Sequence, residues 1–371
     1  MKFVRDMKII VLLNILMVVS PISAAEITTP AKQVYVTDFE TGRVLLSKNS
    51  DKPMKPASMA KIMTVFIAFQ RIIDGSLSLN DKFIVSEKAR EMGGSRTFLE
   101  VGSEVSVKDI LHGIIIQSGN DAAIVMAEGI SGTESAFVEE MNYWAKKIGM
   151  KNSNFRNSTG WPDPKLTTTA KDLNILSTEL IRRFPVEKYP ELYPIFAKKS
   201  FTHNKIYQPN RNPLIFSSSD SDGLKTGHTE ESGYGLVGSA NRKGQRVVMV
   251  LNGMTSKKQR KAESKRLMDL MFREFKTYTL YQKGEAVDQA NVWLGKKTKV
   301  DLVIEKPLKL LLAYNEHQNL KLSLQWVDPI PAPIKKGSKI ATLTIDIKDK
   351  RQKIPLLAGQ DIPILGIFER V

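Results

Sequence analysis

The chain has 371 residues, 42% of them apolar and 25% charged, with a formal charge of +16 and no cysteine. That balance suits a globular protein of one large or two smaller domains with an apolar core. It excludes disulfide staples, thiol catalysis and thiolate metal sites, and the four histidines (His112, His203, His228, His317) fall at no metal-ligating spacing.

The first residues set the compartment. Lys2, Arg5 and Lys8 precede an apolar stretch from Ile9 to Val19, and Ser23, Ala24 and Ala25 follow. This is the order of a secretory signal peptide, and the stretch is short for a membrane span. Cleavage after Ala25 is expected, with export of the rest. A basic exported chain meets anionic lipid headgroups and cell-wall polymers rather than nucleic acid, and its field attracts polyanions without naming them.

The mature part begins with KQVYVTDFETGRVLLSKN, an alternating pattern around a Thr-Gly turn that predicts a hairpin. PASMAKIMTVFIAFQRIID is apolar on nearly every face, as in a helix sealed inside a domain. Ser106 with Asp109 caps a second buried helix through ILHGIIIQ, which breaks at SGND and resumes as AAIVMAEGI. TESAFVEEMNYWAKKIGM reads as an amphipathic helix ending at Gly149, and Thr169 with Asp172 caps DLNILSTELIRRF. GYGLVGSA and QRVVMVLNG predict paired strands around NRKG. KKQRKAESKRLMDLMFREFK then predicts a helix with Leu267, Met271 and Phe275 on one face and a solvated basic outer face. Beyond it VDLVIE, LKLLLAY, LKLSLQWV and KIATLTIDI are short strands between turns, as in a small β-sandwich. The expected organisation is a signal peptide at 1–25, one domain at 26–276 and an all-β domain at 277–371.

Gly233, Gly235 and Gly238 spell the dinucleotide fingerprint, but they lie inside a predicted strand with no helix opening after it, the wrong context for phosphate binding. Three other short patterns carry chemistry. In SMAK, Ser58 and Lys61 share a helix face, so the amine can reach the hydroxyl. A serine needs an adjacent base to become a nucleophile, and a lysine serves if its charge is disfavoured by burial or a second cation. Two unit charges ~4 Å apart at an effective dielectric of ~20 repel by about 4 kcal/mol, roughly three pKa units. In SGN, a break between apolar helices presents Ser118 and Asn120 to a cleft. In KTG, Lys225 and Thr226 on an edge strand can hold an anionic group, and Gly227 lets a substrate backbone approach. Each pattern alone is also compatible with a snorkelling lysine or a plain turn. Their order is that of the set shared by penicillin-binding proteins and class A β-lactamases.

With these motifs, and with GGSRTFLEVG, IIIQSGNDAA, NKIYQPNRN and DGLKTGHT, the chain resembles low-molecular-mass penicillin-binding proteins, the D-alanyl-D-alanine carboxypeptidases with a C-terminal β domain. The resemblance implies an α/β (α+β) penicillin-binding/β-lactamase-like transpeptidase fold, with an antiparallel sheet and a helical subdomain, then a small β-sandwich. It implies that Ser58 attacks the D-Ala-D-Ala carbonyl, Lys61 takes its proton, and Ser118 relays a proton to the leaving amine. Asn120 holds the substrate peptide, Lys225 supplies positive field beside Lys61, and Thr226 with Arg211 and Arg260 holds the terminal carboxylate. The backbone N–H groups of Ser58 and His228 form the oxyanion hole. No cofactor is implied. The implied partners are the peptidoglycan stem pentapeptide and β-lactams that trap Ser58; nucleic acid is not among them. The nearest local match to a deacylating glutamate motif is Asp172-Leu173-Asn174 within a predicted helix, which favours a slowly deacylating penicillin target over a lactamase. The sequence ends at GQDIPILGIFERV without the long amphipathic helix of many relatives, so periplasmic residence with weak peripheral contact to an anionic membrane is expected. A D,D-endopeptidase, a β-lactamase and a non-enzymatic envelope-binding protein stand as alternatives, separable by their products.

Overall fold

In a computed structural model, the structure describes residues 27–347 and 350–366, so the expected signal peptide and the last five residues lie outside the described residues. The chain divides after Phe272 into two compact units.

The first unit is built on a five-stranded antiparallel sheet. Its strands are β1 (Gln33–Asp38), β2 (Val44–Lys48), β3 (Ser221–Thr229), β4 (Gly233–Arg242) and β5 (Gln245–Met254), in the order β2-β1-β5-β4-β3. The hairpin read around Thr41-Gly42 is the β1–β2 pair, and GYGLVGSA lies within β4, so the glycine fingerprint sits in a strand. Residues Val247–Met254 of β5 are all buried, as expected of a central strand covered on both faces. The strand β3, which carries Lys225, Thr226 and Gly227, is an edge.

The main helices are α1 (Lys61–Ile73), α2 (Val107–His112), α3 (Asn120–Ser131), α4 (Glu134–Ile148), α5 (Ala170–Arg183) and α6 (Lys257–Glu274). Lys61 to Phe69 of α1 are buried without interruption, which explains the unrelieved apolarity of its sequence. Phe66 meets Trp144 of α4 and Phe184 edge-on, with centroids 5.4 and 5.7 Å away. The predicted caps are formed: the Ser106 and Thr169 hydroxyls accept the N–H groups of Asp109 and Asp172, and Gly149 (φ 91°) ends α4. Asn174 ties α5 to the sheet, its amide donating to the Val248 carbonyl and its oxygen accepting from Thr37. The face of α6 differs from the expected one. Arg260, Glu263, Leu267, Met268, Met271 and Phe272 are buried, whereas Phe275 starts a strand. The basic face therefore holds one sealed arginine.

In the second unit, Phe275–Tyr281 pairs with Leu308–Ala313. A six-stranded sheet runs in the order Lys321–Trp326, Lys339–Ile347, Lys350–Ala358, Lys299–Ile304, Ala286–Trp293 and Ile330–Pro331. Inward residues of both sheets, among them Leu310, Leu312, Val300, Leu343 and Leu356, share one core. Among the described residues no helix is long and apolar enough to cross a membrane.

Candidate active site

Three chain segments form the site, the last of them the edge strand β3. The first is a 3₁₀ turn, Ala57–Ala60, that runs into α1. Ala57 adopts φ 48°, a left-handed conformation that strains an alanine by about 1–2 kcal/mol. The turn leaves Ser58 half-buried while Ala57, Met59 and Ala60 are sealed.

Lys61 is completely buried. Its ammonium donates to Ser58 Oγ at 3.1 Å, to Asn120 Oδ1 at 2.6 Å and to the Thr159 carbonyl at 2.6 Å. Burial, with the positive field of Arg211 second, lowers its pKa from 10.5 to about 7, against the opposing pull of Asp121. The lysine is thus near half-neutral at neutral pH and within reach of the serine proton. Burial is the largest cause and Arg211 the next, and the expected repulsion between Lys61 and Lys225 is present in the pair.

The second segment is the break between α2 and α3. After α2 the helix widens into a π turn, Gly113–Gln117, and Ser118 closes it at φ 67°. Ser118 is buried, and its hydroxyl has no hydrogen-bond partner among the described residues, so a proton donor or acceptor in the cleft meets an uncommitted group. Asn120 spans the site, its amide donating to the Gly93 carbonyl at 2.7 Å while its oxygen takes Lys61. The adjacent Asp121 carboxylate accepts the N–H groups of Thr97, Leu99 and Ala122, which folds the 93–102 loop onto the start of α3.

The third segment is β3. Lys225 and Thr226 are buried. Lys225 makes one long bond, 3.4 Å to the Thr226 carbonyl, and burial first, then Lys61, Arg211 and Arg260, hold its pKa well below the ordinary lysine range. A positive charge was expected here; burial and the neighbouring cations disfavour that charge, and an anion in the site would favour it. Gly227 also differs from expectation. A Cβ there would lie 2.9 Å from the Pro56 carbonyl and 3.1 Å from Met59 Cγ, so the glycine admits the serine-bearing turn, and the room first read as substrate access is taken. His228 is exposed and stacks on Tyr234, its cross-strand partner, with ring centroids 3.9 Å apart.

Arg211 and Arg260 complete the cluster. Arg211 donates to Ser95 Oγ, and burial lowers its pKa. Arg260 is buried below Tyr234, bonds the Gly235 carbonyl at 3.4 Å and leaves Nε unpaired; burial takes its pKa to about 10. The positive groups gathered around Ser58 suit an anionic ligand. Among the described residues no group of three histidine, aspartate or glutamate side chains is placed to hold a metal ion. Asp172 and Asn174, the nearest local match to a lactamase glutamate motif, are committed to the fold: Asp172 accepts Asn152 N–H and Ser153 Oγ, and Asn174 joins α5 to the sheet.

Sequence reasoning missed Thr159 and Gly160. The Thr159 carbonyl holds Lys61, and Gly160 (φ 78°) lies against Ala57, where a Cβ would stand 1.8 Å from the carbonyl oxygen. The N-x-T-G turn at 157–160 was visible as a turn, but nothing local indicates that it backs the serine.

Comparison with known proteins follows the same division. Residues 20–256 match the family described as D-alanyl-D-alanine carboxypeptidase, and residues 275–363 match the penicillin-binding protein 5 C-terminal domain. The D-alanyl-D-alanine carboxypeptidase DacF of Bacillus subtilis is 37% identical over 93% of this chain and 89% of its own length. DacC of Escherichia coli, another D-alanyl-D-alanine carboxypeptidase, is 35% identical over 94% of this chain and 89% of its own. The crystal structure of penicillin binding protein 5 from Haemophilus influenzae superposes with a TM-score of 0.74 at 32% identity, covering 92% of this chain and all of that one.

Proposed function

The chain belongs to the D-alanyl-D-alanine carboxypeptidase family, and from that premise we propose that Ser58 carries its acyl-enzyme chemistry with Lys61 as base. The protein is a serine peptidase that removes the terminal D-alanine from D-Ala-D-Ala peptides and binds β-lactams. The observation that carries the residue assignment is the sealed Lys61, 3.1 Å from Ser58 Oγ with a pKa near 7.

In this reading the peptide lies along the free edge of β3. The Ser58 hydroxyl gives its proton to neutral Lys61 as Oγ bonds to the penultimate D-alanine carbonyl carbon. The developing oxyanion takes the N–H groups of Ser58 and His228. The peptide C–N bond then breaks, and the proton held by Lys61 passes through Ser118 to the leaving amine. Water hydrolyses the ester and restores Ser58. Asn120 holds the acyl-side peptide. Thr226, Arg211 and Arg260 receive the terminal carboxylate, whose charge favours the protonated form of Lys225.

Intact-protein mass spectrometry tests the assignment. Benzylpenicillin adds one mass to the wild type and none to Ser58→Ala, and pentapeptide stems lose one D-alanine each with wild type only. An adduct that persists on Ser58→Ala overturns it.

We also propose that residues 1–25 direct export to the periplasm, where the activity serves peptidoglycan remodelling and cell shape. The basic surface then touches anionic membrane weakly. Support comes from the charge order of the first residues and the net charge of +16. Flotation of the mature protein with anionic vesicles at physiological salt counts against weak contact.

A further inference from the structure

The turn at 157–161 contains an aromatic residue that the acyl-transfer scheme does not use. Asn157 locks this turn: its oxygen accepts the N–H groups of Gly160 and Trp161 and the Thr159 hydroxyl, and its amide donates to the Trp161 carbonyl. The same turn holds Lys61 through Thr159 and abuts Ala57 through Gly160, so Trp161 is fixed relative to Ser58.

One side of the Trp161 ring lies on Gly93 and Gly94. A Cβ on Gly93 would be 3.2 Å from Trp161 Cη2, and one on Gly94 would be 3.0 Å both from Trp161 Cζ3 and from Asn120 Nδ2. The Gly93 carbonyl is the group that holds the Asn120 amide. The residue is 43% exposed, so it also presents surface to solvent. A large aromatic held at its outer edge by Gly93 and Gly94 and 43% exposed adds little to the core. Placed beside Asn120, it is a platform for apolar ligand surface.

We propose that Trp161 is a specificity-determining residue, packing against the aliphatic side chain of the donor residue immediately before the D-Ala-D-Ala unit. This rests on the acyl-enzyme reading above. There the carboxylate end of the donor lies toward Thr226 and Arg260, and Asn120 holds the acyl-side peptide. The residue upstream of that peptide, one extended step of about 3.3 Å further on, then reaches the ring beyond Asn120. The ligand class is a linear aliphatic side chain, whose methylenes gain from an apolar face while a polar end remains in water.

The test compares acetyl-L-lysyl-D-alanyl-D-alanine with acetyl-glycyl-D-alanyl-D-alanine. Trp161→Ala lowers kcat/KM for the lysyl donor about tenfold and leaves the glycyl donor within about twofold, whereas Trp161→Phe retains most of the preference. An equal fall on both donors, or no fall on either, overturns the proposal and leaves Trp161 a packing residue. Should Trp161→Ala fail to fold, binding of the lysyl donor to Ser58→Ala protein is read by tryptophan emission. A shift that disappears in Ser58→Ala/Trp161→Phe supports the platform, and one that persists overturns it. Benzylpenicillin adducts on the wild type keep the two readings apart. No adduct on Ser58 sinks the acyl-enzyme reading, whereas an adduct with an unchanged lysyl-to-glycyl ratio in Trp161→Ala sinks only the platform.

Discussion

The catalytic unit seals Lys61, Lys225, Asp121 and Arg260, whereas among the described residues of the C-terminal unit the buried polar groups are Glu316 and Thr344. Glu316 there caps the Ala313 N–H at 2.9 Å. The rest of that core is aliphatic, so ordinary packing holds it together. In the catalytic unit, cations removed from water destabilise the fold unless they are paired or discharged. Lys61 fills all three donors, yet Lys225 has one long bond and Arg260 Nε has none. Among the described residues no carboxylate bonds either of these last two, which is what a pocket for an incoming anion requires. The contrast teaches that the first unit keeps unspent electrostatic attraction and the second does not.

Three experiments test this contrast. The largest effect on acylation is expected where the catalytic unit is tightest. Gly160→Ala forces a Cβ against the Ala57 carbonyl at a positive φ, so it should cost roughly 2–4 kcal/mol in chemical denaturation. Because the turn aligns Lys61 and Ser58, acylation by penicillin should slow about 10²-fold. Unchanged acylation would show that the turn does not set the geometry. In the other unit, Leu343→Ala opens a cavity in the aliphatic core and should cost about 2–5 kcal/mol, seen as a lowered melting transition. Its acylation rate should match the wild type; a matching loss of activity would erase the distinction between the units.

The smallest effect concerns protons. Only neutral Lys61 can accept the serine proton, and its pKa is depressed to about 7. Acylation at low penicillin concentration should therefore rise with pH through about 7 and level off above it, close to tenfold between pH 6 and 8. A flat profile would remove Lys61 as the base.

Local pattern was enough for much of the fold. The capped helices, the β1–β2 hairpin and the β4–β5 pair follow from 3.6- and 2-residue periodicity with turn residues at the ends. The strands Phe275–Tyr281, Ala286–Trp293 and Lys350–Ala358 escaped notice because charged and polar residues interrupt their alternation. Phe275 was taken into the preceding helix because it continues the spacing of Leu267 and Met271, and strand pairing with Ala313 overrides that spacing. Of the site, the three motifs could be found because each binds residue types to a fixed spacing. Thr159 could not, since it contributes only a backbone carbonyl, which every residue possesses.

Residue pattern alone specifies which side chains are available for acyl transfer, and that α1 must be sealed, because an unbroken apolar helix has no other stable place. Tertiary structure decided what those side chains are. Burial, with the cations Arg211 and Lys225 nearby, lowers the pKa of Lys61. Close approach of the Ser58 turn, rather than substrate, requires Gly227. Both are effects of distance and solvent exclusion between segments far apart in the chain, and no local pattern of residues encodes either.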